Sequence, residues 1–207
     1  MTPPNGSRRG PYSKGVERRR EILERAIDVF AERGAEKTSL RAIGNAIGVS
    51  HAALRHYFDS REQLLLEVLR SAEERSAQQA SVAPGASAVE IMTDFARRNR
   101  DVPGLVQLYS TLLAGALEEG REESREFFVK RFDDVRRQLR ERIESDQQAG
   151  LVAADVDPQA AASLVIAASD GLQLQWLLDP SIDITRSLEI LEGIFRPSDQ
   201  PGRTSAR

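Results

Sequence analysis

The chain has 207 residues, no cysteine, two histidines and a formal net charge of −3, with 40% hydrophobic and 29% charged residues. Lack of cysteine excludes a disulfide framework, and two histidines without cysteine leave no metal-ligand set. No apolar run approaches a membrane span or a secretory signal, so the composition suits a cytoplasmic globular protein of one or two domains with a sizeable core.

Residues 1–14 carry Arg8, Arg9 and Lys14 among Pro, Gly and Ser. This composition predicts a disordered basic arm, which either lies along a polyanion or only solubilises the chain. From Arg19 to Arg33, Ile22, Ala26, Ile27 and Phe30 recur at helical spacing, and Gly34 is placed to end the helix. Leu40, Ile43 and Ile47 mark a second, short helix, with Thr38 or Ser39 as its N-cap. Gly48 suits a left-handed C-cap, Val49 a plug between helices, and Ser50 the N-cap of a third helix. There Leu54 and Phe58 share an inward face, while Ala52 and His56 lie opposite, flanked by Ala53 and Arg55. Ser60 and Gln63 are spaced as a capping box for a fourth helix, whose Leu64, Leu65, Val68 and Leu69 face inward. Helix, glycine turn and helix over residues 38–58 make a helix-turn-helix, whose second helix can enter a DNA major groove. On spacing alone, a plain helical hairpin in a bundle is the alternative.

Charge is unevenly spread: +4 through residue 60 and −7 beyond it. A basic end on an acidic body directs a polyanion to that end. The order and spacing of Ala26, Phe30, Gly34, Thr38-Ser39, Ile43, Ala46, Gly48-Val49-Ser50, Leu54, Tyr57-Phe58, Ser60-Arg61-Glu62 and Leu64-Leu65 resemble the N-terminal domain of the TetR family of bacterial transcription regulators. The resemblance spans about residues 17–69.

That resemblance implies an all-α protein of about nine helices. A helix-turn-helix DNA-binding domain of three or four helices would occupy residues 15–80. A helical ligand-binding and dimerisation domain would occupy 86–196, followed by a disordered tail at 197–207. The implied partners are a palindromic double-stranded operator, a second copy of the chain and a small-molecule effector of unknown identity, with no cofactor and no membrane. Thr38, His51, Tyr57 and Arg61 match positions that grip phosphates and set register; Tyr57 is equally a core residue. Arg41 matches a base-reading position, where Arg bridges guanine O6 and N7, or else it holds a phosphate. Arg55 and His56 are candidates for base or phosphate contacts, and Ser39, Ser50, Ala52 and Ala53 complete the face. The chain departs from the usual pattern at His51 (usually Lys), Ala53 (often Ser or Thr), Arg55 (commonly Tyr) and Gly44 (usually Ala). The framework is kept while the outward face is changed, as a different operator requires.

Residues 81–87, with Pro84-Gly85, break the chain. A helix from Ala88 to Asn99 carries Ile91, Met92, Phe95 and Ala96, and Val102-Pro103-Gly104 breaks it. Leu105 to Leu117 is apolar on several faces, which predicts a central buried helix. Glu118 to Glu123 is a charged connection. A long helix follows with Phe128, Phe132, Val135, Leu139 and Ile143 as its stripe and Gly150 as its stop. Asp157-Pro158 places an N-cap before Pro at the first helical position. The helix from Pro158 to Leu178 mixes small residues with Leu, Val and Trp176. A last helix runs from about Thr185 to Phe195.

This body, with Asp170-Gly171-Leu172-Gln173, is similar to the C-terminal domain of the same family. The resemblance implies a four-helix dimer interface from the last two long helices, using Ala161, Leu164, Ala168, Gly171, Leu172, Leu188 and Leu191; packing within one subunit is the alternative. It also implies a ligand pocket, with Met92, Phe95, Tyr109, Leu112, Leu113, Phe128, Phe132 and Trp176 as lining candidates that could equally fill the core. Asp170 can bond across a dimer, cap a pocket or face water. Arg97, Arg98 and Arg100 are expected to form a solvated face. The carboxylates of Glu118 to Glu123 fall in an expected exposed turn with no partner His, Cys or Ser constellation, so no enzyme is expected. The reading is a ligand-responsive DNA-binding regulator, a repressor released from a palindromic operator by a small molecule. The alternative is a low-specificity or architectural helix-turn-helix binder without a ligand.

Overall fold

A computed structural model describes residues 11–33, 39–80 and 82–197. The expected arm up to residue 10, the Gly34 stop, the Thr38 cap and the tail from residue 198 lie outside the described residues. Those described form nine helices and no strand: α1 (Pro11–Arg33), α2 (Leu40–Ile47), α3 (His51–Tyr57), α4 (Arg61–Gln78), α5 (Ala88–Asn99), α6 (Pro103–Gly115), α7 (Glu122–Gln148), α8 (Pro158–Leu178) and α9 (Ile184–Phe195). None is long and apolar enough to cross a membrane.

The starts and stops follow local chemistry. Ser39, Ser50, Ser60 and Ser87 each accept a bond from a backbone N–H three residues on, giving α2, α3, α4 and α5 side-chain N-caps. Ser87 and Glu90 form a full capping box. The expected box at Ser60 closes differently: Gln63 Oε1 accepts from the Asp59 N–H at 2.7 Å. Asp157 caps α8 ahead of Pro158. Gly48 ends α2 with φ 69°, a conformation in which a Cβ would be strained.

Two expectations are corrected. The helix expected from Arg19 begins at Pro11, so residues 11–14 of the expected arm are helical; Pro is well tolerated at a helix start because its missing N–H would be unsatisfied there anyway. The apolar run 105–117 does not form one buried helix. α6 ends at Gly115, and Leu117 in the following turn is 85% exposed.

Two hydrophobic cores hold the chain together. The first joins Ile22, Ile27 and Phe30 of α1, Ile43 of α2, Leu54 of α3 and Leu64, Leu65 and Leu69 of α4 to Leu105 and Leu108 of α6 and Phe128 of α7. The second joins Val89 and Met92 of α5, Leu139 and Ile143 of α7, Val165 and Ile166 of α8, and Leu188 and Leu191 of α9. The packing boundary therefore differs from the chain boundary near residue 81. α6 packs with the N-terminal helices, and α7 runs through both cores, with Phe132 touching each.

Polar contacts fasten α4 on two sides. Arg19–Glu67 (3.1 Å) and Arg75–Asp28 (3.0 Å) tie it to α1. Glu62 accepts from Arg121 at 2.9 Å and from the Ser124 hydroxyl, and Arg131 meets Glu73 at 2.5 Å, tying it to the start of α7.

Candidate functional site

The helix-turn-helix is compact because Gly44 has no side chain. A Cβ at Gly44 would stand 2.5 Å from the Val49 carbonyl oxygen and 3.3 Å from Leu54 Cδ1. The Val49 N–H donates to the Gly44 carbonyl at 2.7 Å, which closes the turn. Arg25 Nη1 donates to the Ile47 carbonyl at 3.4 Å, satisfying one of the last acceptors of α2.

The framework side of this unit is sealed and the other side is open. Ile43, Ile47, Val49, Leu54 and Phe58 are each at most 6% exposed, and the Arg19 guanidinium lies over the Phe58 ring at 4.9 Å. Of the expected DNA-contact residues, Ser39, Arg41, Ser50, His51, Ala52, Arg55, His56 and Arg61 are exposed, whereas Ala53 and Tyr57 are half-buried against the core. Ser39 and Ser50 spend their hydroxyls as N-cap acceptors. Arg41 and Arg55 make no ion pair among the described residues, so both guanidinium groups are available to a partner.

A cavity of about 230 Å³ lies at the seam between the two cores. Its walls are Ile27 and Ala31 of α1, Leu69, Ala72 and Glu73 of α4, Phe95 and Arg98 of α5, Leu105 and Tyr109 of α6, Arg131 of α7, and Asp170 and Gln173 of α8. Only Phe95 and Tyr109 of the eight expected lining residues reach it. Met92 and Phe128 are 7% and 2% exposed inside the cores, because each faces the middle of its own cluster. Leu112, Leu113 and Phe132 pack against the first core and Trp176 against the second.

A polar chain crosses this cavity. The Tyr109 hydroxyl donates to Asp170 Oδ2 at 3.0 Å, Arg131 Nη1 donates to the Tyr109 oxygen at 3.3 Å, and Arg131 Nε donates to Glu73 Oε1 at 2.5 Å. The Arg131 guanidinium stacks 4.7 Å from the Tyr109 ring centre. Burial raises the Asp170 pKa above its ordinary 3.8, outweighing the lowering by the Arg131 charge and the Tyr109 hydroxyl. Burial likewise raises that of the Tyr109 phenol, so it stays protonated and donates. Arg98, expected in solvent, is half-buried: it bonds Ser76 Oγ at 3.1 Å and pairs with the buried Asp94. Asn99 Nδ2 donates to Gln173 Oε1 at 2.5 Å.

Asp170, left open by the sequence, thus faces the cavity. Arg131 and Glu73, which no sequence motif singles out, join it there. The available signal was a charge set among Phe128, Phe132 and Val135 on an otherwise apolar stripe.

The expected dimer residues divide. Ala161, Leu188 and Leu191 are 4%, 0% and 8% exposed inside the second core, which corrects their assignment to a face open to a second copy. Ala168 and Leu172 are half-buried against that core. Leu164 is 48% exposed and Gly171 half-buried. With Leu174 (49%) and Leu178 (88%), they form a stripe at helical spacing on α8; α9, which packs on α8, exposes Ile190 (63%) and Ile194 (61%).

Comparison with known proteins bears on both halves. A family model described as "Bacterial regulatory proteins, tetR family" matches residues 22–68, and one described as "BetI-type transcriptional repressor, C-terminal" matches residues 116–194. The chain is 25% identical to the HTH-type transcriptional regulator PksA of Bacillus subtilis over 169 residues, 79% of this chain and 80% of that one. It is 41% identical to the HTH-type transcriptional repressor KstR2 of Rhodococcus jostii over 70 residues, only 34% of this chain and 33% of that protein. A putative TetR-family transcriptional regulator from Rhodococcus sp. shares the fold with a TM-score of 0.68 at 24% identity, covering 86% of this chain and 96% of that one. So does a putative transcriptional regulator from Saccharomonospora viridis in complex with choline, with a TM-score of 0.65 at 22% identity, covering 86% and 95%.

Proposed function

Since the chain belongs to the TetR family of bacterial regulatory proteins and is a DNA-binding transcriptional regulator, we propose that it acts in the cytoplasm as a dimeric repressor released from a palindromic operator by a small molecule. The division of α3 carries the reading. Leu54 and Phe58 hold the helix from inside, while His51, Ala52, Arg55 and His56 are exposed on a face small at its start and basic at its end. Small residues let the backbone approach the groove, and Arg55 and Arg41 supply donors for guanine edges or phosphates.

The apolar stripe on α8 and α9 supports pairing with a second copy. Exposed Leu164, Leu174, Leu178, Ile190 and Ile194 would otherwise face water together. A pair of reading helices matches two half-sites roughly 34–36 Å apart, which is why the operator is proposed to be palindromic. The seam cavity supports ligand response. Its walls come from α1 and α4 on one side and α5 to α8 on the other, so an occupant that prefers one arrangement of these helices shifts the spacing of the reading helices. Equal affinity for both arrangements would shift nothing.

The test is a footprint on the promoter upstream of the gene, followed by fluorescence anisotropy on the protected duplex at fixed salt. Two symmetric half-sites are expected, with specific binding on the order of a thousandfold or more tighter than nonspecific binding. Arg41→Ala and Arg55→Ala should each weaken it about tenfold to a hundredfold, the weight of one bidentate contact. Unchanged affinity in both variants would sink the assignment of these side chains. Leu174→Glu should leave the fold intact and sediment as a monomer; a dimer that persists removes the stripe from the interface. A specific-to-nonspecific ratio near one would favour an architectural binder.

A further inference from the structure

The seam cavity has more carboxylates than its cations can answer: Asp170 inside it and the exposed Asp101 at its wall both lack an ion pair among the described residues. Glu73 and Asp170 share a single guanidinium, that of Arg131, which gives Nε to Glu73 and Nη1 to Tyr109. The other arginines at the wall are engaged: Arg75 by Asp28 at 3.0 Å, and Arg98 by Asp94 and Ser76. Asp170 forms no ion pair within 4 Å and receives one hydrogen bond, on Oδ2 from Tyr109; Oδ1 has no partner among the described residues. The wall also carries the apolar or aromatic Ile27, Leu69, Phe95, Leu105 and Tyr109 ring, with Asn99 and Gln173 already bonded to each other.

A buried cluster that is short of one positive charge is completed by a proton or by a cation. An anion would meet a wall with four carboxylates and no unengaged guanidinium, and a neutral apolar guest would strip water from Asp170 Oδ1 and give nothing back. We propose that the cavity binds a small organic cation: an apolar body with a protonated amine whose N–H groups donate to Asp170 Oδ1. Phe95 lines the same cavity and is an aromatic ring within it for the charge, while one face of Tyr109 is already covered by Arg131. A cavity of about 150 Å³ holds benzene, so 230 Å³ has room for about ten heavy atoms. The inference rests on the ligand-responsive reading and names its chemistry. It also names the route: an amine at Asp170 sits at one end of the chain Asp170–Tyr109–Arg131–Glu73, whose other end is on α4.

The test uses three matched probes, 3-phenylpropylamine, 3-phenylpropanol and 3-phenylpropanoate, titrated calorimetrically into the full chain near pH 7.5. The amine should bind roughly ten- to hundredfold more tightly than the alcohol, the weight of a charge-assisted hydrogen bond, and the carboxylate should be weakest. Asp170→Asn should bring amine and alcohol to parity with an unchanged circular dichroism spectrum, and Asp170→Glu should restore the preference. Binding of the alcohol or carboxylate as tight as the amine, failure of all three to bind, or a preference that survives Asp170→Asn overturns the proposal. Operator release is read separately. Release by the carboxylate would keep the ligand-responsive reading and end the cationic one. Amine binding that depends on Asp170 but leaves the operator occupied would keep the cation site and end the ligand-responsive reading.

Discussion

The two cores of this molecule are held by different kinds of contact. The first is built on α1 to α4, near neighbours in sequence and three of them capped by a serine accepting from the N–H three residues on, with α6 and the start of α7 packed onto them. The second gathers α5, the far half of α7, α8 and α9 from across a hundred residues. Between them runs a polar seam whose partners lie far apart in sequence: Asp170 with Tyr109, Arg131 with Glu73, Gln173 with Asn99. Locally determined structure makes the reading head. The seam is polar and incompletely filled, and it is where the ligand response proposed above would act.

If that contrast is right, the largest effect comes from the first core. Leu54 is fully buried between α2, α3 and the framework, so Leu54→Ala should cost about 2–5 kcal/mol in urea unfolding. A loss below about 1 kcal/mol, the size of surface changes, would mean that the head is loosely packed.

The seam comes next. Glu73→Gln leaves Arg131, 12% exposed, without its counter-charge, while Glu73 itself keeps about a third of its surface in water. Fully buried pairs lose about 3–5 kcal/mol when one partner goes, so a discounted loss of about 2 kcal/mol is expected. A double-mutant cycle with Arg131→Met measures the coupling; a coupling near zero would mean that α4 is not fastened to α7 through this pair.

The smallest effect is in pH. The folded Asp170 holds its proton more tightly than the unfolded chain does. Its contribution to stability is therefore full below the ordinary 3.8 and is lost as pH rises through the raised folded value. Facing it are Tyr109 of α6, Arg131 of α7 and Glu73 of α4; Arg131 opposes the shift and Glu73 adds to it. Urea midpoints measured from pH 3.5 upward should fall less in Asp170→Asn than in the parent. Parallel profiles would remove Asp170 from the seam's titration.

Much of the head could be read from residue order. Ser50 before Leu54 and Phe58, or Gly48 after Ile47, act through bonds three or four residues long, and helical periodicity separates inside from outside. The same logic gave the bounds of α5 and α8. It failed where a residue's partner was set by packing. Leu188 and Leu191 share the apolar character of Ile190 and Ile194, yet the first two are buried and the second two exposed. The rotation of α9 against α5 and α8 decides that, and no local bond reports it. Met92 and Phe128 missed the cavity for the same reason.

Residue order alone was enough for most of the helices, their serine and aspartate N-caps and the helix-turn-helix with its changed outward face, because each rests on contacts within one turn of chain; the start of α1 and the end of α6 were not legible there. Only the tertiary structure decided that α6 sides with the DNA-binding helices, that Asp170 looks into a cavity rather than at water, and that one guanidinium serves two carboxylates there. Those facts depend on which helices meet across 58 to 74 residues of chain, a choice made by close packing of whole faces.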